Sequence, residues 1–91
     1  MSYRITGNEK VTVGTTAKDI KIGYRAFSLM NNGESAIYFH SRDSDGKAVT
    51  AASGMALKAG EVFRQVLTCD ALSVISDATG GDLRILYLDV G

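Results

Sequence analysis

The sequence predicts an all-β fold: a small antiparallel β-sandwich, jelly-roll-like, of about eight short strands. Apolar residues recur at every second position along most of the chain, which is the rhythm of strands turning one face to a core. No stretch carries a convincing helical period. Breaks rich in Gly, Asn and Asp separate the runs at close intervals, as in sandwiches and barrels. At 91 residues the chain is one domain, residues 1–91, with room for a single modest core. With 45% apolar and 22% charged residues it is too hydrophobic for a disordered segment.

Taken in order, Val11 and Val13 alternate with Lys10 and Thr12, and Ile20 and Ile22 alternate with Asp19 and Lys21, giving two short strands. Arg25 to Met30 places Phe27 and Leu29 on one face with Ala26, Ser28 and Met30 on the other. Asn31-Asn32-Gly33 then supplies residues tolerant of positive φ, a turn into Ser35 to His40. There Ile37 and Phe39 oppose Ala36, Tyr38 and His40, so the two runs are expected to pair as a hairpin of central strands. Ala48 to Ala56 has too little bulk for much core and reads as a loop with a short edge strand. Glu61 to Leu67 alternates Val62, Arg64 and Val66 with Phe63, Gln65 and Leu67, and Leu72 to Ser76 is a further strand. Gly80-Gly81 turns the chain into Asp82 to Val90, with Leu83, Ile85 and Tyr87 on one face and Leu86 and Leu88 on the other. Apolar residues on both faces mean either a central strand or a face covered by a neighbouring subunit. Proline, one of the residues that protect sheet edges, is absent, which leaves subunits as one way to cover them.

Composition also narrows function. Ten basic and ten acidic residues cancel, and the densest basic group is only Lys18, Lys21 and Arg25, so nucleic acid is not an expected partner. No apolar stretch approaches membrane-spanning length, and the opening residues carry no hydrophobic signal region. Cys69 is alone, forms no disulfide within the chain, and reads as a small buried apolar residue. His40 has no second histidine or paired cysteine at a metal spacing and is far from Cys69 in sequence. Ser41, Asp43 and Asp45 match the start of a calcium loop, but its twelfth position is Ala52, so a surface Asp-Gly turn is the better reading. Gly80-Gly81 and Gly54 lack the lysine-hydroxyl pair of a phosphate loop. No catalytic, cofactor-binding or metal-binding residue is assigned, and the chain is not expected to be an enzyme. Tyr3, Tyr24, Tyr38 and Tyr87 could form an aromatic platform for a sugar or protein, or serve as ordinary sandwich packing.

A set of segments resembles small structural proteins on the capsids and tails of tailed bacteriophages and prophages. They are a valine-rich start with Gly14-Thr-Thr16, then Arg25-Ala-Phe-Ser-Leu-Met-Asn-Asn-Gly33, Ala36-Ile-Tyr-Phe39, Gly54-Met-Ala-Leu-Lys-Ala-Gly60, Leu72-Ser-Val-Ile-Ser76 and Asp82-Leu-Arg-Ile-Leu86. The Gly-x-x-Leu-x-x-Gly element also resembles cupin-like jelly rolls, whose enzymatic members supply several metal-binding histidines where this chain has only His40. The phage resemblance implies a capsid-decoration, fibre-base or tail-associated subunit that forms homo-oligomers and docks on other virion proteins. It further implies a location in the virion, and in the host cytoplasm during assembly. Phe27, Phe39 and Leu57 would then serve the fold. Tyr38, Phe63, Arg84 and Tyr87, chosen by chemistry and face, are the expected contact residues. The alternative is a carbohydrate- or small-ligand-binding β-sandwich module.

Overall fold

The computed structural model describes residues 2–42 and 46–90, and resolves the alternating pattern into eight strands. They are β1 (Tyr3–Val13), β2 (Lys18–Lys21), β3 (Ala26–Asn31), β4 (Ile37–Ser41), β5 (Met55–Leu57), β6 (Val62–Leu67), β7 (Ala71–Ser76) and β8 (Gly81–Val90). Asp43, Ser44 and Asp45, which hold most of the expected calcium-like turn, lie outside the described residues.

Four antiparallel pairs organise the chain: β1 with β8, β2 with β7, β3 with β6, and β4 with β5. The chain is thus doubled back on itself as one ribbon, whose successive pairs fall alternately into two sheets. Contacts of β8 with β3 and of β7 with β4 complete a front sheet, β1-β8-β3-β6, and a back sheet, β2-β7-β4-β5. This is the two-sheet jelly roll. Its core lies between the sheets and includes Val13, Phe27, Leu29, Ile37, Phe39, Leu57, Leu72, Val74, Leu83 and Ile85. The strand faces expected for Phe27, Leu29, Ile37, Phe39, Leu83 and Ile85 are the faces found.

The expected hairpin of residues 25–30 with 35–40 does not form. β3 lies in the front sheet and β4 in the back, so the segment between them crosses from one sheet to the other. The crossing is organised by a side chain and not by positive φ, because none of Asn31, Asn32 and Gly33 adopts it. Asn31 is fully buried at the end of β3. Its amide donates to the carbonyls of Ser35 and Leu57, both at 2.8 Å, while its Oδ1 accepts the Gly33 N–H at 3.0 Å. β1 is also longer than expected, because its first residues extend the pairing with β8 as far as Tyr3 and Val90.

The segment 48–56 contributes β5 as a short edge strand, as expected, but it does more. Val49 is only 1% exposed, and its N–H donates to the Ser73 hydroxyl at 2.9 Å. Ser73 points away from the core between Leu72 and Val74, so the loop lies across the outer face of the back sheet. The loop closes through Thr50, whose carbonyl accepts from Ser53 and Gly54. A Cβ on Gly54 would come within 2.5 Å of Val49 Cγ2 and 3.0 Å of the Phe39 nitrogen, so glycine is what permits this close approach.

Candidate interaction surface

The outer face of the front sheet has no such cover. On β8 the alternation that buries Leu83, Ile85 and Tyr87 turns Leu86, Leu88 and Val90 outward. On β3 it turns Ala26, Ser28 and Met30 outward, with Met30 paired to Val62 of β6 and to Arg84 of β8. Val66 faces the same way, because its neighbour Leu67 pairs with the inward Phe27.

β1 needs one irregularity to join this face. Val11 and Val13 point inward, and strict alternation would send Tyr3 and Ile5 inward with them. The register shifts by one residue between Ile5 and Gly7, a bulge at Thr6. Beyond it Ile5 pairs with Leu88 and Tyr3 with Val90, both outward, so the bulge moves two large apolar side chains to the outside. Ile5 is 65% exposed and Val90 55%. Of the eight exposed large hydrophobic residues among those described, six lie on this one face: Tyr3, Ile5, Met30, Val62, Val66 and Val90. Large exposed apolar patches occur at protein, membrane and ligand contact sites and in chains prone to aggregate.

Two depressions mark this face. One, of about 230 Å³, lies among Asn8, Ser28, Met30, Val62, Arg84 and Leu86. The other, of about 460 Å³, is at the corner formed by Tyr3, Tyr24, Ala26, Thr68, Leu88 and Val90. Tyr24 stands there at φ 62°, a left-handed conformation unusual for a tyrosine. It is held by consecutive N–H bonds, from Ile22 and Gly23 to the Asp70 carbonyl and from Tyr24 to the Cys69 carbonyl.

At the opposite end the face becomes charged. Arg84 makes a two-pronged contact with Asp82 at 2.7 and 3.0 Å, and Asn32 donates to the same carboxylate at 3.2 Å. The Arg84 bond, with the Asn32 bond and nearby Lys10, holds the Asp82 carboxyl down at about 2. The face is therefore apolar towards Tyr3 and Val90 and ionised towards Asp82 and Arg84.

The four expected contact residues do not come together. Arg84 lies on the exposed front face. Tyr87 points into the core at 4% exposure, with its hydroxyl donating to Glu9 Oε1 at 2.7 Å and the Arg25 guanidinium 3.8 Å above its ring. Burial, reinforced by the Glu9 bond, pushes its phenol up to about 12. Phe63 also turns inward, edge-on to Phe39 with ring centroids 5.4 Å apart. Tyr38 is half-buried on the outside of the back sheet and donates to Asp77 at 3.2 Å, a bond that raises its pKa. Tyr87 and Phe63 are thus core residues, because their strand positions share parity with buried neighbours. Of the four tyrosines weighed as a platform, only Tyr3 and Tyr24 share a groove.

Leu86 and Leu88 were visible as a second apolar face in the sequence. Tyr3 and Ile5 were not, because a one-residue bulge has no signature in the alternation.

Among the described residues no three His, Cys, Asp or Glu side chains group as metal ligands, and no helix is long and apolar enough to cross a membrane. No known protein family, curated protein or solved structure matches this chain. The class is therefore defined by geometry: a jelly-roll domain with one outer sheet face covered by its own loop and the other left apolar.

Proposed function

We propose that this chain is a non-enzymatic virion structural or assembly subunit, such as a capsid-decoration, fibre-base or tail-associated protein of a tailed bacteriophage. It works by burying the outer face of the front sheet against copies of itself and against other virion proteins. The observation that carries this reading is the asymmetry between the two sheets. The chain spends a loop on covering the back sheet, yet leaves six large apolar side chains on the front. Removing such surface from water stabilises an assembly by about 25 cal/mol per Å², and symmetric oligomers are the usual result. The setting is the virion, reached from the host cytoplasm. The segments that resemble phage structural proteins supply the biological context.

Absolute mass from light scattering across a dilution series tests it. A discrete oligomer that persists on dilution, and recovery of the protein with purified particles, is the expected outcome. A monomer at every concentration that is also missing from particles sinks the proposal.

The Tyr3–Tyr24 groove favours a second reading, a carbohydrate-binding module, since exposed tyrosine rings stack on sugars. That reading requires a monomer whose glycan affinity disappears with Tyr24→Ala.

A further inference from the structure

A second feature lies between the sheets and not on them. β5 has three residues and pairs with Ile37, Tyr38 and Phe39 of β4. Across the sandwich, the β3–β6 register slips between Phe27 and Leu29, which displaces β6 at the same level. At this level the structure has a cavity of about 220 Å³.

Its walls are Phe27 and Leu67 from the front sheet and Phe39 and Leu72 from the back, with Met55 and Cys69 completing them. Phe27, Phe39, Leu72 and Cys69 are buried, whereas Met55 and Thr68 are exposed, so the cavity opens between β5 and the end of β6. The polar lining consists of His40, Ser41 and Thr68. The Nδ1 of His40 is 2.9 Å from the Ser41 carbonyl, so in the neutral ring that nitrogen carries the proton and Nε2 is left as an acceptor.

Close-packed interiors hold few voids larger than a water molecule, and an apolar cavity of about 150 Å³ already takes benzene. We infer that this cavity is a binding site for a small, neutral, ring-sized aromatic molecule. Phenylalanine rings and a thioether are the groups that pack well on an aromatic ring. A charged ligand is disfavoured because the walls offer no countercharge. The site lies between the sheets, shares only Thr68 with the corner groove described above, and does not depend on assembly.

Indole is a suitable probe. Titrated into ¹⁵N-labelled protein, it should give saturable shifts confined to the amides around Phe39, Leu67, Cys69 and Leu72. Thr68→Trp, which fills the mouth from an exposed position, should weaken this response at least tenfold while leaving the spectrum dispersed. Cys69 gives an independent readout, being the one cysteine of the sequence. Saturating indole should slow its reaction with a thiol reagent several-fold in the unmodified protein, a result that stands even where the variant fails to fold. Absence of shifts up to the solubility limit, shifts centred instead on Leu86, Leu88 and Val90, or an unchanged thiol rate would each overturn the inference.

Discussion

Asn31 sits fully buried at the point where the chain leaves one sheet for the other, and its amide serves both sides of the crossing. Replacing it with alanine strips the Leu57 and Ser35 carbonyls of a donor, and an unpaired buried polar group costs about 1–3 kcal/mol. Asn31→Ala should therefore lower the urea midpoint by the equivalent of about 2–4 kcal/mol, with little change in the slope of the transition. Tyr87 makes a pH prediction. Its neutral phenol is favoured in the folded state, where it titrates near 12 against about 10 when unfolded. Its contribution to stability is complete below pH 10 and lost as pH rises towards 12. Tyr87→Phe should flatten that alkaline fall in a series of melts and, having lost the Glu9 bond, should be less stable at neutral pH by about 1–2 kcal/mol. Neither role could be seen in the sequence. Asn31 reads as a turn residue because Asn-Asn-Gly is a turn signal, and although it continues the inward alternation of Phe27 and Leu29, only the position of β5 shows which carbonyl its amide serves. Tyr87 was placed correctly on the face of Leu83 and Ile85, but it was valued for its chemistry as a contact residue when its parity already made it core.

Among the elements, the loop before β5 is the clearest case of a fold covering its own surface. Gly54→Ala would press a methyl group into Val49 and the β4 backbone, and such overpacking costs about 1–3 kcal/mol. The expected result is a lower melting temperature with faster hydrogen exchange at the Val49 amide, whose bond to Ser73 would open first. An unchanged exchange rate would mean that the loop is not held by this contact. The small residues of 48–56 concealed this role, since a single valine sets up no periodicity. Strand positions and inward faces were legible because a period of two encodes them directly. Pairing was not, for alternation identifies a strand's face but not its sheet, and the nearest neighbour in sequence proved to be in the other layer.

At the scale of the whole molecule, the front sheet leaves six large apolar side chains exposed. Leu88→Lys places a charge beside Ile5 on that face without touching the inward residues, and because Leu88 is half-buried the isolated fold should lose only about 1 kcal/mol. If the face is an interface, mass should fall to that of one chain while the circular dichroism spectrum is retained. An oligomer that survives this change would be held together elsewhere. The sequence pointed to this surface through Leu86 and Leu88, but its full extent depended on the bulge at Thr6.

The doubled-back ribbon has a consequence in time. The tip pair, β4 with β5, is closest along the chain, whereas β1 must wait for β8, the last of the described strands. At roughly 5–20 residues per second, β1 emerges from the ribosome seconds before its partner exists. Closure of the front sheet therefore waits on the most distant pairing along the chain, and non-local pairing of this kind folds on a scale of milliseconds to seconds. The outward-facing residues of β1 are consequently made well before the strand that gives them their place in a sheet.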